Sequence, residues 1–270
     1  MIVKHEVKML EGSVKALMLE YLRNKNQLSK DDTIISEFPI KRSSRRADIV
    51  LIGKSTHAFE IKSEADTLNR LQGQMEAYLD YFDKVTVVTA SKHINQVKKI
   101  TPACVGIWEV RGKSIYIIRR GIKVPVTDRG NLIQLMRVHD LAKTIRVIGH
   151  EIKSMLRSDL VLVANSLSIS QLRKAAINAL KMRYAKTNSD FWNCVGQSVI
   201  NLEHLALLSP ASKEREVQLE REKMQSDSWA MWIKKAQELP DDIYLHHLMK
   251  TTQPKLFGPI PDKIKKMVNR

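Results

Sequence analysis

Arg46-Ala47-Asp48-Ile49-Val50-Leu51-Ile52, a Gly53-Lys54-Ser55 turn, then His57-Ala58-Phe59-Glu60-Ile61-Lys62: the fold of this chain turns on these residues. Two short apolar runs flank a tight turn, the pattern of paired β-strands. Side chains at i and i+2 of a strand share a face. Glu60 and Lys62 therefore point together, while Phe59 and Ile61 point the other way into a core. Pairing of the two runs lets Asp48 reach the same edge as Glu60. Burying two carboxylates and a lysine on otherwise apolar strands costs on the order of several kcal/mol without partners. Such a set is expected to bind something.

Outward from this hairpin, Ser13 to Lys25 reads as a helix with Val14, Leu17, Met18, Tyr21 and Leu22 on one face, followed by a strand from Thr33 to Ile40. A second helix is expected from Glu64 to Phe82, then a fully apolar strand at Val85 to Thr89, of the kind covered on both faces. Val105 to Val110 and Ser114 to Arg119 form a hairpin around Gly112. The order is α-β-β-β-α-β. Beyond it the pattern turns helical, at 131–147, 151–165, 168–184, 190–207 and 213–237. Pro125, Asp128 and Gly130 mark the change. The expected class is α/β with a mixed sheet in domain 1–125, followed by an all-α domain in 126–270 that grips DNA or a partner protein.

The formal net charge is +16 over 270 residues, with a pI near 9.8. Such an excess favours a polyanionic partner, since Lys and Arg that neutralise phosphates release counterions. Cys104 and Cys194 form no Cys-x-x-Cys pair, which argues against zinc or a disulfide framework. No apolar run approaches the roughly 18 residues of a membrane span, and the first residues do not read as a signal peptide. A cytoplasmic protein is expected. H-E-x-x-H, P-loop, G-x-G-x-x-G and G-x-S-x-G motifs are all missing, so zinc hydrolysis, NTP hydrolysis and dinucleotide binding lack support.

Paired carboxylates suit Mg²⁺, with Mn²⁺ as an alternative, because a hard cation takes one or two of them and keeps sites for water and phosphate. Asp48 and Glu60 are the expected ligands. Glu37, mid-strand between Ile35 and Phe38, ranks ahead of Glu20 as an accessory ligand. Lys62 would position water or neutralise charge on phosphorus. Gln74 and Tyr78, spaced i, i+4, share a side of the second helix and can lean over the sheet edge; for Tyr78, core packing accounts for the position equally well. The turn Lys41-Arg42-Ser43-Ser44-Arg45-Arg46 and Arg70 supply candidate phosphate contacts.

Asp48…Glu60-Ile61-Lys62 resembles the signature of the PD-(D/E)XK nucleases, the restriction-endonuclease-like superfamily, and the α-β-β-β-α-β order resembles its core. Gln74-Met75-Glu76-Ala77-Tyr78 is similar to the Q-x-x-x-Y motif of RecB-type exonucleases. The R-A-D…E-I-K-S pattern is closer still to a poorly characterised bacterial family of such proteins. No Pro precedes Asp48, a departure from the signature. The resemblance spans roughly the first 120 residues. It implies a Mg²⁺-dependent nuclease acting on DNA in bacterial or phage defence or repair, with Asp48 and Glu60 as ligands and Lys62 as the catalytic lysine; RNA is not separated from DNA. The second reading is a non-catalytic nucleic-acid-binding or regulatory protein that retains the fold.

Overall fold

A computed structural model describes residues 10–40 and 45–208. These fall in the first of the two units into which the chain divides, Met1–Pro210 and Ala211–Arg270. The chain runs α1 (Glu11–Asn24), β1 (Thr33–Pro39), β2 (Arg46–Ile52), β3 (Thr56–Lys62), α2 (Leu71–Leu79), β4 (Lys84–Ala90), α3 (Ile94–Ile100), β5 (Gly106–Arg111) and β6 (Ser114–Arg119). Five helices follow: α4 (Arg129–Gln134), α5 (Val138–Val147), α6 (Arg157–Ala164), α7 (Ile169–Val195) and α8 (Leu202–Leu208). The first unit is thus α/β, with a six-stranded mixed sheet and a helical C-terminal region.

The strands stand in sequence order across the sheet. β1, β2 and β3 pair antiparallel through short turns. β3, β4 and β5 run parallel, each crossover carrying a helix, α2 or α3. β6 returns antiparallel at the edge. Alternation of side chains divides the core in two. Ile34, Ile49, Leu51, Phe59 and Val88 face α1, α8 and the end of α7. Ile35, Val50, Ala58, Val85 and Val87 face α2 and the helices from α4 onwards. At 27 residues, α7 is roughly 40 Å long and contributes to both cores. Near its end Asn188 accepts a hydrogen bond from Ile34 N (2.7 Å) and donates to Ile34 O (2.9 Å), occupying the outer edge of β1.

Several expectations shift. α2 begins at Leu71, because residues 63–66 turn back on themselves: the Asp66 carboxylate accepts from both Ser63 N and Ser63 Oγ. α3 stands where no helix is expected, between the strands at Val85 to Thr89 and Val105 to Val110. The expected helix 131–147 divides at Leu135 to Arg137, where Arg137 N donates to Asp140 to start α5. The separate helices at 168–184 and 190–207 merge into α7 up to Val195, with α8 beyond it. The expected helix 213–237 lies outside the described residues. The helices from residue 126 share the core of the sheet within the first unit. Asp83 makes that joint: its carboxylate accepts from Thr56 N, Val126 N and both Nη atoms of Arg173, at 2.7 to 3.0 Å. Among the described residues, no helix is long and apolar enough to cross a membrane.

Candidate functional site

Extending the register places Glu37, Asp48 and Glu60 at one level across β1, β2 and β3. The β1–β2 pairs lie on either side of Glu37 and Asp48, and the β2–β3 pairs end at Ile49 and Phe59. Like charges opposite one another weaken a ladder, and here the ladder gives way. The Asp48 carboxylate takes the Ile61 N–H at 2.6 Å. Glu37 adopts a left-handed φ of +53°, a strained conformation for a residue with a Cβ.

Glu60 is 1% exposed and its oxygens are taken by its own neighbours. Oε1 accepts from Lys62 Nζ at 2.5 Å and from Gln74 Nε2 at 2.6 Å. Tyr78 Oη lies 2.6 Å from both Glu60 Oε2 and the Arg46 carbonyl, and donates to one at a time. Burial first, and then the Glu60 charge, push the Tyr78 phenol far above its ordinary value, so it stays protonated. Among the described residues, Gln74 Oε1 is buried with no hydrogen-bond partner, because Glu60 fixes the amide with its nitrogen inward. The structure therefore brings Asp48, Glu60, Lys62, Gln74 and Tyr78 together, as the spacing implied.

The acids that converge are not the expected three. Those whose oxygens lie within 4.8 Å of one another are Glu11, Glu37 and Asp48; Glu60 is not among them. A cation of the protein already stands there. Lys15 Nζ is 2.6 Å from Glu11, 2.6 Å from Glu37 and 3.9 Å from Asp48. Burial opposes the Lys15 charge, but Asp48, Glu11 and Glu37 outweigh it and hold the ammonium up at about 12. Asp48 is pushed up to about 8, by burial first and by Glu60 second, against the pull of Lys15. Of the expected Mg²⁺ ligands, Glu60 is thus committed to Lys62, Gln74 and Tyr78, while Glu37 and Asp48 stand with Glu11 around Lys15. Lys15 and Glu11 were missed from sequence, though their i, i+4 spacing at the start of α1 was a visible signal. Glu20 pairs with Arg23 at 2.8 Å.

The expected phosphate-binding cations separate. Lys41 and Arg42 lie outside the described residues. Arg45 rests against Gly73 of α2, where a Cβ would meet its Nη2 at 2.5 Å. Arg46 and Arg70 are exposed. A second cationic group, not anticipated, lies at the β5–β6 end of the sheet. Arg119 binds Thr101 Oγ1 and Val105 O, joining the end of α3 to β6. Lys98, Lys99, Arg120 and Lys123 flank that joint and are exposed. Lys84 is pushed below its ordinary value, by burial first and by Arg120 second. Cations crowd there.

Residues 4–209 match the family model of bacteriophage P4 protein cII. The chain is 34% identical over 209 residues to Protein cII of Enterobacteria phage P4, covering 75% of this chain and 79% of that protein. A solved structure, the SPO1766 protein of unknown function from Silicibacter pomeroyi, aligns with a TM-score of 0.36 and 16% identity over 55% of this chain and 100% of that one. The family match overturns the expectation of a metal-dependent nuclease: it sets the chain among phage cII proteins and not in a nuclease family, in keeping with a Glu60 closed off by its own neighbours. The chain belongs to the bacteriophage P4 protein cII family.

Proposed function

We propose that this chain is a non-catalytic, regulatory nucleic-acid-binding protein, DNA being the expected partner, with a restriction-endonuclease-like αβββαβ core serving as scaffold. The observation that carries this reading is where the charge lies. Residues 1–83, which hold the acid–acid–lysine set, contain 13 Lys and Arg against 13 Asp and Glu. Residues 84–186 contain 20 Lys and Arg against five acids. The polyanion-attracting field therefore comes from α3, β6 and the helices beyond, not from the carboxylates on β2 and β3. Some of these cations are spent internally, as Arg119 and Arg173 are. The exposed Lys98, Lys99, Arg120 and Lys123 remain for phosphates. A buried Glu60 neutralised by Lys62 adds rigidity and presents no negative face to the backbone of a duplex.

The test is incubation of the full chain with plasmid, linear duplex and single-stranded DNA, in Mg²⁺ and in EDTA. Binding in both conditions with the DNA left intact is the expected result. Cutting that needs Mg²⁺ and disappears in Lys62→Ala would overturn the reading, as would failure to bind any of the three.

A further inference from the structure

α5 and α7 lie side by side, and a groove of about 340 Å³ runs between them. Its floor is made by Ala175 and Ala179, one turn apart on α7. Val147 of α5 and Met182 of α7 stand over it, 79% and 67% exposed. Lys143 and Lys174 line its sides, exposed and without an ion pair among the described residues. Asp140, the acid lining this groove, is bound to Arg183 at 2.5 Å and leaves both lysines unopposed.

We propose that this groove seats an acidic amphipathic helix of a partner protein. Two exposed apolar side chains over a small-residue floor form an apolar strip, unpartnered among the described residues, with a cation on either side. A helix laid against Ala175 and Ala179 can approach closely and bury Val147 and Met182 under its apolar residues, at i, i+3, i+4 and i+7. Acids flanking that apolar face meet Lys143 and Lys174. Charge complementarity selects this occupant. A second copy of the chain would bring further cations to a cationic surface, and a nucleic acid backbone gains nothing from an alanine floor with Val and Met beside it. The inference goes beyond nucleic-acid binding and does not rest on it.

The experiment uses the full chain and three labelled peptides of about four helical turns: an acidic amphipathic helix, the same sequence with Lys for every acid, and a scrambled version of the acidic one. Fluorescence anisotropy is expected to give at least tenfold tighter binding of the first than of the others. Val147→Ser with Met182→Ser weakens that binding by about tenfold or more, since each side chain loses its buried area. Lys143→Ala with Lys174→Ala removes most of its salt dependence. All four positions are exposed, so circular dichroism of the variants matches wild type. Equal binding of the scrambled peptide, or indifference to both pairs of substitutions, overturns the proposal. So does concentration-dependent dimerisation that Met182→Ser abolishes, which makes a second copy the occupant. DNA affinity that falls with the Val147/Met182 pair assigns the groove to nucleic acid instead.

Discussion

Lys15 Nζ stands 2.6 Å from Glu37 Oε1, and it is this contact that sets α1 against the broken level of the sheet. Glu37, Asp48 and Glu60 would repel one another across three strands. Lys62, Gln74 and Tyr78 satisfy Glu60, and Lys15 satisfies Glu37 while drawing on Asp48. The protein's own cations thus oppose the charge of this level from two sides.

Lys15→Met removes one of these cations. The Lys15 side chain is 8% exposed and Glu37 34%, so part of the loss is screened by water. Destabilisation of about 1–3 kcal/mol is expected in urea titrations. Glu11, Glu37 and Asp48 are then left as an open carboxylate set. Mn²⁺ or Ca²⁺ should raise the Tm of this variant while leaving that of wild type almost unmoved. Equal response of the two proteins counts against Lys15 as the resident cation.

Glu60→Ala strands a buried ammonium on Lys62 together with the Gln74 amide, and should cost about 3–5 kcal/mol. Tyr78→Phe removes a single hydroxyl and should cost about 1–3 kcal/mol. Glu60→Gln keeps the shape, and DNA affinity should stay within about twofold of wild type. A large fall in affinity without loss of stability would tie the β3 cluster to binding.

Asp48 carries its folded pKa to about 8 from an ordinary 3.8, so between these values the native state holds a proton that the unfolded chain has lost. Its contribution to stability is complete below pH 3.8 and is lost as pH rises through about 8. Stability from thermal melts should therefore fall from pH 5 to about 8, by at most about 1.4 kcal/mol per pH unit from this group, and level off above it. Asp48→Asn should flatten the dependence. His57 acts at the other end. Burial first, and Lys84 second, lower its pKa well below 6.5, so the unfolded state takes up the proton that native His57 refuses. Stability should drop below about pH 6.5, and His57→Gln should lessen that drop.

Arg173→Met breaks the joint between sheet and helices. Asp83 is 2% exposed and its carboxyl sits below the ordinary range because Arg173 and two backbone N–H groups outweigh its burial. A loss of about 3–5 kcal/mol is expected, measured by urea unfolding.

The strands were legible because alternation and short turns leave little freedom. β2, β3 and β6 fall within a residue of their expected bounds, and the meeting of Asp48, Glu60, Lys62, Gln74 and Tyr78 follows from periods of two and four. What was not legible depends on contacts distant in sequence. Lys15 meets Glu37 across 22 residues, and Asn188 reaches Ile34 across 154. Asp66 folds back on Ser63 and ends what periodicity alone would extend as helix. The same spacing that brings acids together does not say whether their oxygens face outward or are taken by side chains of the chain itself. The family match is what overturns the nuclease expectation.

A salt titration of duplex DNA affinity in EDTA tests the central claim most directly, comparing wild type with two variants. The first replaces Lys98, Lys99, Arg120 and Lys123 by Ala; the second replaces Arg45, Arg46 and Arg70. Each phosphate contact contributes about 0.9 to the slope of log K against log salt. The first variant should lose roughly three units of slope and at least tenfold in affinity at moderate salt, and the second should behave like wild type. The reverse pattern, with binding lost only when the cations beside Asp48 and Glu60 are removed, would contradict the account.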